Sequence, residues 1–131
     1  MADALKLTIN TPEKNFYTGE VVEILTDSSQ GRIGILKNHI PLVTTLVPNI
    51  TEIVDKDGKK IKAFTSTGIL EVKDNSVNFL CDSCEWPDEI DFNRAEEAKE
   101  RAENRLKEKD NVDVRRAELA LSRALARISL K

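Results

Sequence analysis

The sequence predicts an α+β protein in which a β body over residues 1–85 is followed by an antiparallel two-helix hairpin over residues 86–131. Two observations predict this class. Short apolar–polar alternations separated by turn residues recur through the first part, which is typical of an all-β sandwich or flattened barrel rather than of βαβ units. In the last third, one helix-start pattern is written twice, at residues 90–98 and again at residues 112–120.

Strands are predicted where apolar and polar side chains alternate, because this is the period of a strand with one buried face. Residues 5–9 show the alternation first. The turn sequences at residues 55–58 and 74–75 each separate two such runs and predict β-hairpins. Because Pro41 lies inside residues 39–47, that segment predicts bent or edge strands. The predicted strands cover residues 5–9, 21–25, 39–47, 50–54, 59–65, 68–73 and 76–81.

Each copy of the repeated pattern opens with an aspartate, Asp91 or Asp113. An aspartate at this position accepts a hydrogen bond from the free N–H groups of a first helical turn. The apolar residue before it, Ile90 or Val112, is placed to pack against the fourth helical position. The pattern therefore predicts two helix starts, and residues 110–111 predict a short polar turn between the helices.

Small apolar residues recur at helical spacing in both predicted helices, so the two helices can approach closely along an alanine seam. An alanine buries little surface, and the seam therefore contributes little stability. This favours a hairpin that opens or moves easily, although a permanently docked hairpin fits the same pattern. The seam consists of Ala95, Ala98, Ala102 and Leu106 in the first helix and Ala117, Ala120, Ala124 and Ile128 in the second.

An arginine stripe lies beside the seam on each predicted helix. Arginine offers a flat, permanently charged fork that suits carboxylates and phosphates. The alternative is a solvated helical face with local ion pairs such as Glu97–Arg101. The stripes consist of Arg94, Arg101 and Arg105 and of Arg116, Arg123 and Arg127.

Composition narrows the class of protein. The chain has 131 residues, a charged fraction of 33%, an apolar fraction of 40% and a net charge of −3, which describes one folded domain with a small appendage. No apolar run approaches the length of a membrane span, and we expect neither a signal peptide nor direct membrane insertion. Residues 89–131 hold eleven basic and ten acidic side chains. We therefore expect no nucleic-acid partner.

The sequence shows no recognisable constellation of catalytic groups. His39 is the only histidine, and no Ser or Cys is plausibly placed as its nucleophile. Cys81 and Cys84 form a lone C-x-x-C, whereas a zinc ribbon needs a second pair, so we interpret them as two reduced thiols. The sequence therefore predicts neither an enzyme nor a metal site.

Three segments together resemble the epsilon subunit of bacterial F-type ATP synthases. They are residues 31–44 (GRIGILKNHIPLVT), 68–72 (GILEV) and 90–95 (IDFNRA). The resemblance implies a β-sandwich of about ten strands and a C-terminal helix–turn–helix. It also implies a non-catalytic rotor subunit, peripheral on the cytoplasmic face of the cell membrane. The implied partners are the gamma subunit, the membrane c-ring and the alpha/beta catalytic head, whose ATP hydrolysis the extended helices inhibit.

The resemblance also implies two sets of site residues. In some family members the folded helices bind ATP as a regulatory ligand, while no cofactor is required. The matching ATP-binding positions here are Glu85, Asp91, Arg94, Arg101, Arg123 and Arg127. The matching contact loop for gamma and the membrane ring contains Arg32, Ile33, Gly34 and His39.

Two alternatives to this ATP-sensing rotor subunit stay open. In the first, the arginines serve only the extended state, in which they contact acidic residues of the catalytic head. In the second, the chain is a free-standing ATP-sensing module. Arg32 departs from the family pattern, which often has an acidic residue at that position, so no specific ion pair of the family is carried over to it.

Overall fold

The structure, a computed structural model, describes residues 4–108 and 113–131. A β body of nine strands is followed by two helices in the described residues, which confirms the predicted fold class. The predicted turn at residues 110–111 and the packing of Val112 lie outside the described residues. The strands are β1 (Leu5–Asn10), β2 (Asn15–Ser28), β3 (Gly31–Ile35), β4 (Leu42–Leu46), β5 (Asn49–Asp55), β6 (Lys60–Thr65), β7 (Gly68–Lys73), β8 (Ser76–Cys81) and β9 (Cys84–Glu85), and the helices are α1 (Phe92–Lys107) and α2 (Val114–Ile128).

One continuous sheet folds over itself around the long strand β2. The first half of β2 pairs antiparallel with β1, with Leu5 opposite Val21, and the second half pairs with β3 and β5. Strand β1 also pairs parallel with β8, and β8, β7 and β4 follow in order. Because β2 belongs to both parts of this path, the sheet encloses a single core.

The core of the body is apolar and encloses a short chain of hydrogen-bonded threonine hydroxyl groups. Residues such as Leu7, Ile24 and Ile53 are completely buried, as the alternation in their strands predicts. The hydroxyl of Thr51 lies 2.9 Å from that of Thr26 and 2.7 Å from that of Thr65. These buried polar groups therefore have hydrogen-bond partners and do not destabilise the core.

The segment predicted as bent or edge strands over residues 39–47 is shorter in the structure. Strand β4 begins only at Leu42, and residues 36–41 form a loop. The N–H of His39 donates to the carbonyl of Leu36 at 3.1 Å, and Asn38 has a φ of 66°. Pro41 directly precedes the strand, where its missing N–H costs no ladder hydrogen bond.

The two helices begin where the sequence predicts. The carboxylate of Asp91 accepts a hydrogen bond from the N–H of Arg94 at 3.0 Å, and Asp113 accepts one from Arg116 at 3.0 Å. Helices α1 and α2 pack against each other along their alanines. The buried alanines of the seam are Ala95, Ala102, Ala117 and Ala124.

The hairpin docks on the body mainly through α2, which contacts β5. At the joint, Trp86 stacks on Phe16 with a ring-centroid distance of 4.2 Å and meets Tyr17 edge-on at 6.2 Å. A short 3-10 turn at Pro87–Glu89 then leads into α1. The start of the hairpin is therefore anchored to the body by aromatic packing.

Candidate functional site

A cavity of about 530 Å³ lies between the two helices and the adjacent end of β9. Its floor is built from seam alanines, and its rim carries the arginine stripes of both helices. Side chains three, four or seven positions apart share one face of a helix, so each stripe points into the same space. The charged lining residues are Arg94, Arg101, Arg105, Arg116, Arg123, Arg127, Glu85, Glu89 and Asp91.

The structure brings all six predicted ATP-binding residues to this one cavity. Glu85 comes from β9, Asp91 from the N-cap of α1, and the four arginines from both helices. Three further lining residues were not in the predicted set, namely Glu89, Arg105 and Arg116. Two of these three lie in the predicted arginine stripes, so the helical spacing alone would have included them.

Arg127 is the cavity residue with the closest contacts to the body. Its Nε donates to Oε1 of Glu85 at 2.5 Å, and the side chains of Arg127 and Glu85 are 26% and 29% exposed. Its Cζ lies 4.4 Å from the ring centroid of Phe64. A guanidinium so placed gains a charge-assisted hydrogen bond and a cation–π contact together. Sequence reasoning missed Phe64, because this contact joins residues far apart in the chain.

The cavity carries an excess of positive charge. Six arginines face three carboxylates, and the carboxylate of Asp91 is already used as a helix cap. Within residues 4–108 and 113–131, the five cavity arginines other than Arg127 make no ion pair. Unpaired guanidinium groups that converge from two helices suit a ligand with several anionic oxygens.

The four predicted contact-loop residues lie in β3 and in the loop that follows it. Arg32 is engaged in β3, where its Nη atoms donate to Oδ1 of Asp27 at 3.1 Å and to Oε2 of Glu52 at 3.0 Å. It thereby lines a second cavity, of about 580 Å³, between the body and α2. Ile33 in the same strand and His39 in the loop are partly buried, and Gly34 is exposed.

Large apolar side chains are exposed in the loop that follows β3 and on the outer face of strands β4, β7 and β8. In the loop, Ile40 is 74% exposed, and Leu36 lies nearby in sequence. On the sheet, Ile69 and Leu80 stand directly opposite each other on β7 and β8, and both are at least half exposed. We call Leu36, Ile40, Val43, Ile69 and Leu80 the apolar surface of the body.

Cys81 and Cys84 are free and buried, in agreement with the interpretation of two reduced thiols. The hydrogen bond with Cys84 and then burial raise the pKa of the Cys81 thiol well above its usual range. A thiol held protonated in this way is a poor nucleophile and a poor metal ligand. Among the residues that the structure describes, no group of three or more His, Cys, Asp or Glu side chains could hold a metal ion.

Two family descriptions together match the chain from residue 4 to its last residue. "ATP synthase, Delta/Epsilon chain, beta-sandwich domain" matches residues 4–87, and "ATP synthase, Delta/Epsilon chain, long alpha-helix domain" matches residues 88–131. The chain belongs to the ATP synthase delta/epsilon family. The resemblance inferred from the three sequence segments is therefore confirmed, while the predicted boundary at residue 85 stays a prediction.

Relatives place this delta/epsilon family member with bacterial epsilon chains. The chain is 64% identical over 130 residues to the ATP synthase epsilon chain of Clostridium kluyveri, covering 99% of this chain and 98% of that relative. It is 60% identical over 111 residues to the epsilon chain of Clostridium acetobutylicum, covering 85% of this chain and 84% of that relative. The chain is thus an epsilon subunit of an ATP synthase.

Two solved structures share the fold of this family member. A chain in the mitochondrial ATP synthase OSCP/F1/c-ring structure of Euglena gracilis matches with a TM-score of 0.84 and 25% identity, covering 96% of this chain and 80% of that one. A chain in the central stalk/c-ring structure of Tetrahymena thermophila mitochondrial ATP synthase matches with a TM-score of 0.58 and 16% identity, covering 95% and 91%. Neither α1 nor α2, the helices of the described residues, is long and apolar enough to cross a membrane.

Proposed function

We propose that this chain is a non-catalytic central-stalk subunit of an F-type ATP synthase that couples gamma to the membrane c-ring and restrains ATP hydrolysis through its hairpin. The observation that carries the regulatory part is the arginine-lined cavity between α1 and α2. The family membership and the Euglena gracilis F1/c-ring structure support the stalk position. In this position the protein is peripheral on the cytoplasmic face of the membrane.

The apolar surface of the body supports the coupling role. Exposed apolar side chains that cluster on one surface are typical of protein–protein contact sites. Here the partners are gamma and the c-ring, and the loop with Ile40 and His39 belongs to the part that the family resemblance assigns to this contact. Arg32 contributes to this contact from the sheet rather than from the loop, because its guanidinium forms ion pairs with Asp27 and Glu52.

The thin seam of the hairpin supports the inhibitory role. The buried residues of α1 and α2 are all alanines, and an alanine contributes far less to burial than a leucine. A hairpin held by such a seam, and docked on the body through one helix, can exchange between a docked and an extended arrangement with a small difference in free energy. The extended helices reach the alpha/beta catalytic head.

ATP is the proposed regulatory ligand of the docked hairpin. Its phosphates carry several negative charges, and the cavity presents Arg94 and Arg101 from α1 together with Arg123 and Arg127 from α2. These arginines converge only while the helices are paired, so ATP binds the docked arrangement more tightly. A ligand with such a preference shifts the population toward the docked hairpin and away from inhibition.

Calorimetric titration of the isolated protein with ATP tests this ligand. We expect saturable binding of one ATP per chain, and no binding at millimolar ATP would contradict the sensor role. Deleting residues 89–131 from the subunit in the assembled enzyme tests the inhibitory role. We expect the enzyme to assemble and its ATP hydrolysis to rise; an unchanged rate would show that the hairpin does not inhibit.

A free-standing ATP-sensing module is the second candidate, and it is favoured because the cavity is formed by residues of this chain alone. The two functions differ in their partner. A free-standing module binds ATP but does not co-purify with gamma, whereas a stalk subunit does both. Binding to gamma that is lost when Ile69 and Leu80 are both replaced by aspartate, but kept in a Leu119→Asp control on α2, would decide for the stalk subunit.

A further inference from the structure

Phe64 and Glu85 together form the contact surface for Arg127 on the outer face of the sheet. They are directly opposite residues of the paired strands β6 and β9. Opposite residues of an antiparallel pair point to the same face with their Cβ atoms about 4.5–5.5 Å apart. The ring and the carboxylate therefore stand side by side, and Arg127 of α2 contacts both.

Phe64 is buried in an unusual place for its strand. It is fully buried, yet it is not part of the main core, which its strand neighbour Ala63 joins. Successive side chains of a strand point to opposite faces, so Phe64 points away from the core and toward the docked hairpin. Arg127 of α2 covers one face of the ring, so an undocked hairpin would leave that face of the phenylalanine in water.

We infer that Phe64, Glu85 and Arg127 form a clasp that holds the hairpin docked without any nucleotide and that Phe64 positions Arg127 for the cavity. Phe64 covers one side of the guanidinium, and the carboxylate of Glu85 accepts a hydrogen bond from the Nε–H of Arg127. The Nη atoms stay available to a phosphate, because the carboxylate is bonded to Nε. Glu85 is thus a positioning residue rather than a ligand of the phosphates, whose charge it would repel.

The clasp links docking with ligand binding. Releasing α2 from the body breaks both contacts of Arg127 and exposes the face of Phe64 that Arg127 covers. Only the statement about the phosphates rests on the proposed ATP binding; the docking statement stands on the contacts of these three residues. The two can therefore fail separately.

Energy transfer between dyes at the exposed positions Lys59 and Glu118 of the full chain, without nucleotide, measures docking. We expect Phe64→Leu to raise the ratio of undocked to docked hairpin about 2- to 30-fold, because leucine keeps most of the apolar burial but loses the cation–π contact with Arg127. Phe64→Tyr keeps the aromatic face and should restore docking. Phe79→Leu removes a ring from the main core and should lower the melting temperature without changing the energy transfer.

Glu85→Gln tests the clasp even if Phe64→Leu fails to fold, since Glu85 is partly exposed. It should also raise the undocked fraction, whereas Glu13→Gln at an exposed position should not. Unchanged energy transfer in Glu85→Gln, or equal changes in Phe64→Leu and Phe79→Leu, would overturn the inference. If the wild-type chain binds no ATP but Phe64→Leu still undocks the hairpin, the ATP proposal fails and the clasp stands.

Discussion

Replacing Arg123 with glutamine should weaken ATP binding by about 10- to 150-fold. Arg123 is partly buried on α2, lines the cavity and makes no ion pair in the part of the chain that the structure describes. A hydrogen bond to a charged group contributes about 1.5–3 kcal/mol, and each 1.4 kcal/mol is a factor of ten in the dissociation constant. Partial burial reduces screening by salt, so we expect the effect to persist at physiological ionic strength.

Arg115→Gln is the matched control for this prediction. Arg115 lies on the same helix and carries the same charge, but it is exposed and is not a lining residue of the cavity. Calorimetry with ATP should therefore give nearly the wild-type dissociation constant for Arg115→Gln. If both variants weaken ATP binding equally, the net charge of the helix binds the nucleotide, and the reasoning from the cavity is refuted.

Three further predictions concern the stability of the fold. Asp91→Ala should lower the free energy of unfolding of the hairpin by about 1 kcal/mol, because α1 loses its cap. Unfolding followed by circular dichroism should show a larger loss for Asp91→Ala than for Glu96→Ala at an exposed position, and equal losses would contradict the prediction. Gly68→Ala should destabilise the body by about 3 kcal/mol in urea unfolding, because a Cβ there would lie 2.2 Å from the carbonyl oxygen of Leu80. Gly34→Ala is the control, since its Cβ would meet only a side-chain atom of Leu25 at 3.2 Å, and an equal loss in both variants would refute the prediction. Because the fold raises the pKa of the Cys81 thiol, the unfolded chain loses this proton first, so stability should fall as the pH rises above the ordinary pKa of 9.0. Cys81→Ala should reduce that fall, with Tyr17, whose pKa is also raised, accounting for the remainder, and an unchanged pH dependence would count against the prediction.

The local features of the hairpin could be predicted from the sequence because they depend on neighbouring residues. Asp91 and Asp113 cap the helices that they precede, and the alanines at helical spacing form the seam. The arginine stripes follow from the same period. A single cavity then results once two such helices pair, which explains why residues chosen by spacing and resemblance meet there.

The features that were missed depend on pairing between distant residues. Strand β9 is only two residues long, Cys84–Glu85, and exists because it pairs with Phe64 and Thr65. Strand β2 is longer than its apolar run at residues 21–25, because it pairs with strands on both sides of the fold. Alternation within a strand identifies two faces but does not say which structure covers the outer one.

Arg32 illustrates the same limit for a charged residue. The resemblance assigns it to a contact loop, but the register of β2, β3 and β5 places Asp27 and Glu52 within reach of its guanidinium. An exposed ion pair of this kind contributes little stability by itself. It does orient the side chain toward the cavity below α2, which the local sequence does not indicate.

The distance between the body and the hairpin, with and without ATP, tests the central claim most directly. Spin labels at Lys59 and Glu118 of the subunit in the assembled enzyme would report this distance by electron paramagnetic resonance. With ATP we predict a single short distance that corresponds to the docked hairpin, and without ATP a second, longer distance. One distance distribution that is the same in both conditions would contradict the account.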